Sequence, residues 1–216
     1  DQPRSRGLGD VYKRQYEAWG KRALDLGAAT LLLALLAPML LAVALLVRLR
    51  LGRPVLFLQT RAGRDGQGFR ICKFRSMREG SGPDADRLDG FGRALRRSAL
   101  DELPQLVNIL RGEMSLVGPR PLPLDYLRHY SSRHALRLRV RPGLTGPVVV
   151  AGRNEVDWPA RLELDAAYAE APPTLRGDLR ILGATLPVWL SGRGAQAPGH
   201  ATMPPLTGSE LSLIHI

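Results

Sequence analysis

The sequence is short of cysteine, of aromatic residues and of negative charge. Cys72 is the single cysteine in 216 residues, which excludes an intramolecular disulfide framework and a cysteine-based zinc cluster. Aromatic residues make up 6% of the chain, so no stacking platform for nucleic-acid bases is apparent and no nucleic-acid partner is expected. Asp and Glu number 20 against 31 Lys and Arg, a net charge of +11. That excess calls for an anionic partner: nucleic acid, anionic lipid or a phosphorylated substrate. The motifs Gly-x-x-x-x-Gly-Lys-Ser/Thr, Gly-x-Gly-x-x-Gly before a helix, His-Glu-x-x-His and Gly-x-Ser-x-Gly are all missing, and with them the common nucleotide-binding, zinc-protease and serine-hydrolase signatures. His129, His134 and His200 lack metal-ligand spacing. No internal repeat is visible, and the length suits one domain with an appended element.

What is present is a long apolar run. Between Arg22 and Arg48 the 25 residues 23–47 carry one charge, Asp25. Such a run reads as membrane-inserted and, as one helix, would be about 37 Å long against a hydrocarbon core of about 30 Å. Val47-Arg48-Leu49-Arg50 is no cleavage site for a signal peptide. Pro38 removes the bond to the carbonyl of Ala34 and is expected to kink or break the helix. Two readings follow. Hydropathy alone favours a kinked spanning helix, whereas a break at Pro38 would let the segment enter the bilayer and return, since neither half reaches the roughly 20 residues needed to cross. Lys21 and Arg22 before the run and Arg48, Arg50 and Arg53 after it favour the cytoplasm for both ends.

Downstream the pattern is that of a compact cytosolic unit. Pro54–Leu58 and Phe69–Arg75 read as strands of a hairpin about the turn 62–68. Helices are expected over 84–97, over 103–110 with Gly112 closing it, over 124–140, 157–168 and 179–190, and a strand over Val148–Ala151. Residues 191–208 are rich in Pro and Gly and read as an irregular tail. Residues 1–15 and Leu211–Ile216 show no sustained periodicity and read as non-native or disordered flanking sequence. The fold class is helix-dominated α+β on one membrane-embedded segment.

Chemistry is concentrated in Arg96-Arg-Ser-Ala-Leu-Asp101-Glu102-Leu-Pro-Gln. Asp101 suits a helix N-cap, with Pro104 tolerated in the first turn, so the two carboxylates could be helix starters only. Arg96 and Arg97 just upstream open another reading. Arginines and a helix N-terminus keep a carboxylate ionised and supply donors for phosphate oxygens. An ionised aspartate there is a competent nucleophile, and glutamate oxygens suit Mg²⁺. Lys73 and Arg75 alternate onto one strand face, either solvated or arranged as two cations for a diphosphate. Pro119-Arg120-Pro121 fixes the backbone about one arginine, either as a rigid loop or as an anion grip. Cys72 reads as a packed thiol.

Lys21-Arg-Ala-Leu-Asp25, the Pro-interrupted apolar run, Lys73-Phe-Arg-Ser-Met77, Leu100-Asp-Glu-Leu-Pro-Gln-Leu-Val-Asn108, Arg111 to Pro121, Arg141-Pro-Gly-Leu-Thr-Gly146 and Gly152-Arg-Asn154 together resemble, in order and spacing, the bacterial sugar transferases. These are monotopic phosphoglycosyl transferases that start glycan assembly on undecaprenyl phosphate at the cytoplasmic face of the bacterial inner membrane. The resemblance covers residues 16–208. It implies a re-entrant membrane helix over 16–50 with its break at Pro38, a catalytic unit over 51–190, a tail over 191–216 and, with no multi-span region ahead of the anchor, the minimal catalytic form. It further implies that Asp101 attacks the β-phosphate of a UDP-sugar, that Glu102 coordinates Mg²⁺, that Arg96 supports the two carboxylates, and that Arg120 and Arg153 bind phosphate or substrate. Gly199-His-Ala-Thr-Met203 is similar to the tail of members that transfer N-acetylated amino sugars. Where the family has Gly-Trp-Ala-Gln-Val-Asn-Gly-Arg, this chain has Gly146-Pro-Val-Val-Val-Ala-Gly-Arg153, losing an aromatic ring and two amides. Ala37 stands where a serine is common. The rival functions are a catalytically silent membrane scaffold and a membrane-anchored nucleic-acid binder.

Overall fold

The computed structural model describes residues 16–171, 173–197 and 203–206. The flanking segments read above as non-native, and most of the Gly199–Met203 similarity, lie outside the described residues. A π-helical turn, Tyr16–Gly20, leads into helix α1, Lys21–Leu51. Strands β1 (Leu56–Ala62) and β2 (Gly68–Phe74) form an antiparallel hairpin in which Phe57 faces Lys73 and Arg61 faces Phe69. Then come α2 (Asp84–Arg87), α3 (Gly90–Arg97), a 3₁₀ segment Leu100–Gln105, α4 (Leu106–Arg111) and β3 (Ser115–Val117). Three short helical pieces follow: 3₁₀ Leu124–His129, α5 (Ser132–Ala135) and 3₁₀ Leu136–Arg139. Strand β4 (Gly143–Thr145) pairs in parallel with β3. The described fold closes with α6 (Pro147–Ala151), a 3₁₀ turn Arg153–Glu155, α7 (Trp158–Glu170) and α8 (Leu175–Ser191).

Local chemistry sets many of these boundaries. Asp89, Ser131, Asp157 and Thr174 each accept a backbone N–H at the start of α3, α5, α7 and α8. Gly112 at φ +83° closes α4, as its position predicted. At Gly143 a Cβ would sit 2.1 Å from Gly118 N, so the β3–β4 approach requires glycine.

Helix α1 is the one described helix long and apolar enough to cross a membrane. It is, however, tied to the rest of the fold at both ends. Near its start Lys21 pairs with Asp178 at 2.5 Å, Arg22 donates to the carbonyls of Ile109 and Leu110, and buried Asp25 accepts from Ser115 Oγ and Leu116 N. At its end the Arg75 guanidinium donates to the carbonyl of Leu51. Ala29, Leu32 and Leu33 pack into a core with Phe69, Ile71, Leu106, Ile109 and Met114, while Leu40, Val43, Val47 and Leu51 pack into a second with Phe74 and Leu95. Only residues 34–39 lie between these two sets, about 9 Å of helix. The opposite face, with Leu31, Leu35, Leu41, Leu45 and Leu49, is exposed, a contiguous apolar surface that suits lipid.

Several expectations are corrected. Pro38 lies inside α1 and does not end it; it is exposed, in the stretch between the two cores. Val148–Ala151 is helical, because Pro147 at the first turn presets φ and burial of Val148 and Val149 outweighs the strand preference of valine. The strand in that region is β4, just upstream. The helix expected over 84–97 divides at Leu88-Asp89, where Asp89 caps a new start. That over 124–140 divides at Tyr130-Ser131 for the same reason. Asp101 is not an N-cap: Ala99 adopts a left-handed conformation (φ 55°, ψ 14°), and Asp101 and Glu102 fall within the 3₁₀ segment that follows.

Candidate active site

The left-handed turn at Ala99 places two adjacent buried carboxylates on the wall of a cavity of about 930 Å³. Among the described residues, Ala99, Arg153 and Asp65 are the non-glycine positions with positive φ, and the first two flank this site. Such conformations cost energy and persist where the surrounding structure over-determines them. The cavity wall brings together Lys73, Arg75, Arg96, Asp101, Glu102, Arg120 and Arg153, whereas Arg97, expected beside Arg96, is not on it and lies against Gly192.

Glu102 is held from two sides. Arg120 donates through Nη1 to Oε2 at 3.2 Å and through Nη2 to Oε1 at 2.5 Å, and Lys73 Nζ reaches Oε1 at 3.1 Å. Burial by itself would raise the pKa of Glu102, but Arg120 and Lys73 outweigh it and hold the group well below the usual carboxylate range. Asp101 is different. Its Oδ1 is buried without a hydrogen-bond partner. Burial and the charge of Glu102 push its pKa up to about 6, against opposing pulls from Lys73, Arg96 and Arg120. Two neighbouring carboxylates thus have opposite electrostatic settings: one fixed as an anion, one unpaired and poised near neutrality.

The cations also divide. Arg120, expected to grip phosphate, is committed to Glu102 in this structure. The carbonyl of Arg120 is in turn held by Arg137 Nη2 at 2.6 Å, and the same nitrogen pairs with Asp165 at 2.5 Å while Nη1 donates to Tyr130 Oη. Arg75 follows β2 directly, its N–H donating to the carbonyl of Val55, and it lines the same cavity as Lys73, but its guanidinium satisfies the helix-end carbonyl of Leu51 and pairs with Glu79. Arg96 and Arg153 make no ion pair among the described residues. Arg96 Nε donates to Ser76 Oγ, and Arg153 has a buried nitrogen, Nη1, with no partner. These two guanidinia can accept an anion without first breaking an ion pair.

The site offers oxygen donors for a divalent cation from Asp101 and Glu102, and no cluster of three or more His, Cys, Asp or Glu exists among the described residues. Mg²⁺ commonly takes one or two carboxylates with water and substrate phosphate completing its shell, so the pair, with Asp101 Oδ1 unpartnered, fits that ion. One end of the cavity is lined by Tyr126, Trp158 and Arg161, which the sequence did not single out; Tyr126 and Trp158 meet edge to face, and Arg161 stacks over Trp158. Val148 and Val149 of the departed Gly146–Arg153 stretch also line it, leaving an apolar wall. Nothing in the spacing marks Arg137 either. It sits in an alternating run with Arg139 and Arg141 that reads like a solvated face.

Comparison with known proteins agrees with this geometry. The model of the bacterial sugar transferase family matches residues 16–192. An uncharacterized sugar transferase, EpsL, of Bacillus subtilis is 43% identical over 195 residues, covering 88% of this chain and 96% of that protein. The exopolysaccharide production protein ExoY of Rhizobium meliloti is 38% identical over 198 residues, covering 81% and 87%. A UDP-glucose:undecaprenyl-phosphate glucose-1-phosphate transferase of Caulobacter vibrioides is 44% identical over 188 residues, covering 79% and 70%. With the matched region spanning α1, the carboxylate pair and the cations around it, this chain belongs to the bacterial sugar transferase family and is a transferase enzyme.

Proposed function

We propose that the protein moves a sugar-1-phosphate from a UDP-sugar to undecaprenyl phosphate, as the first membrane step of glycan assembly. The observation that carries this reading is Asp101, an unpaired buried carboxylate in a cationic cavity beside a glutamate already neutralised by Arg120 and Lys73. An Asp101 oxygen attacks the sugar-bearing phosphorus of the donor; the new O–P bond forms as the bond to the α-phosphate breaks, and UMP leaves. An oxygen of the lipid phosphate then attacks the same phosphorus, releasing Asp101 and giving a polyprenyl diphosphate-linked sugar. Arg96 and Arg153, which form no ion pair among the described residues, hold the phosphate oxygens as charge shifts between them. Arg120 orients Glu102, and Arg137 with Asp165 fixes the backbone that carries Arg120. Glu102, with substrate phosphate, would hold Mg²⁺, which when bound neutralises phosphate charge.

The donor named for the Caulobacter relative is UDP-glucose, and a UDP-hexose is the donor class proposed here. For the membrane, both ends of α1 bind the same folded unit and only about 9 Å of helix separates its two sets of core contacts. A helix crossing a bilayer would need about 20 residues clear of that unit. This supports a monotopic arrangement at the cytoplasmic face of the inner membrane, with both helix ends on one side and exposed Pro38 in the stretch between the two cores. A site at that surface can reach a nucleotide in water and a lipid phosphate that cannot leave the interface.

Intact-mass measurement after exposure to UDP-glucose and Mg²⁺ without lipid tests the chemistry. A phosphosugar adduct mapping to Asp101, absent in Asp101→Asn, is expected; robust turnover by Asp101→Asn would show that another group is the nucleophile.

A further inference from the structure

Strand β1 carries a cation that forms no ion pair among the described residues. Arg61 lines the active-site cavity and is half-buried. Its Nη2 donates to Gln59 Oε1 at 2.6 Å, a neutral acceptor, and its Nε is buried without a partner. Among the described residues it forms no ion pair, since the carboxylate of Glu102 is taken by Arg120 and Lys73. Burial, with Arg120 close by, outweighs the weaker pull of Glu102 and pushes its pKa down to about 10, which still leaves it charged at neutral pH. A cation held close to a second cation and out of water weakens the folded protein unless an anion joins it. The residue is therefore costly to keep, and a ligand is the natural compensation.

The strand also indicates which anion. Phe57, Gln59 and Arg61 alternate onto one face of β1 and line the cavity, as Leu56 and Leu58 of the other face also do. Phe57 and its neighbours Leu56 and Leu58 are exposed and apolar. They begin five residues after the end of α1, whose exposed face is apolar too. Over about 13 Å, the rise of four residues, the strand thus runs from an apolar end beside the membrane helix to an unpaired guanidinium beside the catalytic carboxylates. A ligand matching that gradient has a hydrocarbon chain ending in phosphate.

We propose that Arg61 binds the phosphate of the lipid acceptor, with Phe57, Leu56 and Leu58 receiving the first part of its hydrocarbon chain. The assignment rests on the transferase reading above. Phosphate could reach Arg61 from either the lipid or the donor diphosphate, and the two arms of the test separate them.

The experiment compares the wild-type full chain with Arg61→Gln and Arg61→Lys in detergent micelles, using undecaprenyl phosphate, the uncharged polyprenol and UDP-glucose as probes. Arg61→Gln should bind undecaprenyl phosphate about tenfold or more weakly, the loss expected for one charged hydrogen-bonding group. Polyprenol binding should change by less than about threefold, and so should the donor concentration giving half-maximal UMP burst without acceptor. Arg61→Lys should recover most of the affinity. The thermal midpoint of ligand-free Arg61→Gln should equal or exceed that of the wild type, because an unpaired cation has been removed. Unchanged affinity for undecaprenyl phosphate, a lowered ligand-free midpoint, or a defect confined to the donor burst would each overturn the assignment. If the wild type binds undecaprenyl phosphate yet releases no UMP, the transferase reading fails and the binding arm alone decides on Arg61.

Discussion

Replacing Asp101 by Asn separates what the residue does for chemistry from what it does to stability. The folded pKa is about 6 against 3.8 for an unperturbed aspartate. Because the folded value is raised, the group favours folding fully below pH 3.8, and that contribution is lost as pH rises through about 6. Above pH 6 the ionised carboxylate therefore costs the fold up to about 3 kcal/mol, two pKa units at 1.36 kcal/mol each. Asn removes the charge at nearly constant volume. Its carbonyl oxygen can occupy the buried position of Oδ1 and its amide can face the cavity, so no new donor need be stranded. The expected gain at pH 8 is about 1–3 kcal/mol, shrinking to near zero at pH 4. For a chain of this length each kcal/mol corresponds to about 2–4 °C in midpoint, which thermal unfolding in micelles across that pH range resolves. UMP release by the wild type should fall as pH drops through about 6, since the nucleophile must be ionised. An Asp101→Asn variant that is less stable at pH 8 than the wild type, or a gain that persists at pH 4, would refute this account of the buried carboxylate.

The neighbouring substitution should act in the opposite direction. Glu102→Gln leaves Arg120 and Lys73, both half-buried, around a neutral amide, and is expected to cost about 1–3 kcal/mol as well as activity; a midpoint equal to the wild type's would show that the pairs contribute little. For topology, single cysteines at Trp19 and Arg53, introduced in a Cys72→Ser background, should both label from the cytoplasmic side in spheroplasts and inverted vesicles. Labelling from opposite sides would exclude the monotopic arrangement.

Much of the site was legible in the chain because its chemistry is local. Asp101-Glu102, the Pro-Arg-Pro about Arg120, the hairpin bearing Lys73 and the apolar run are contiguous motifs, and the Gly112 stop acts over one helical turn; the cap at Thr174, which starts α8 four residues before the expected 179, went unread. Sequence spacing alone determined that two carboxylates, several cations and one membrane-seeking helix belong to this protein. What it could not determine was how charges are shared, because that depends on which groups meet across dozens of residues. The tertiary structure spends Arg120 and Lys73 on Glu102, sends Arg75 to the end of α1, and leaves Arg61, Arg96 and Arg153 with no ion pair among the described residues. The same packing makes a helix of Pro147–Ala151, where burial overrides valine's preference for strands, and runs α1 unbroken through Pro38 while both of its ends are gripped by the same body. Asp101 looks like a helix cap in one dimension; only the left-handed turn at Ala99 and the burial around it make it an unpaired carboxylate facing a basic cavity.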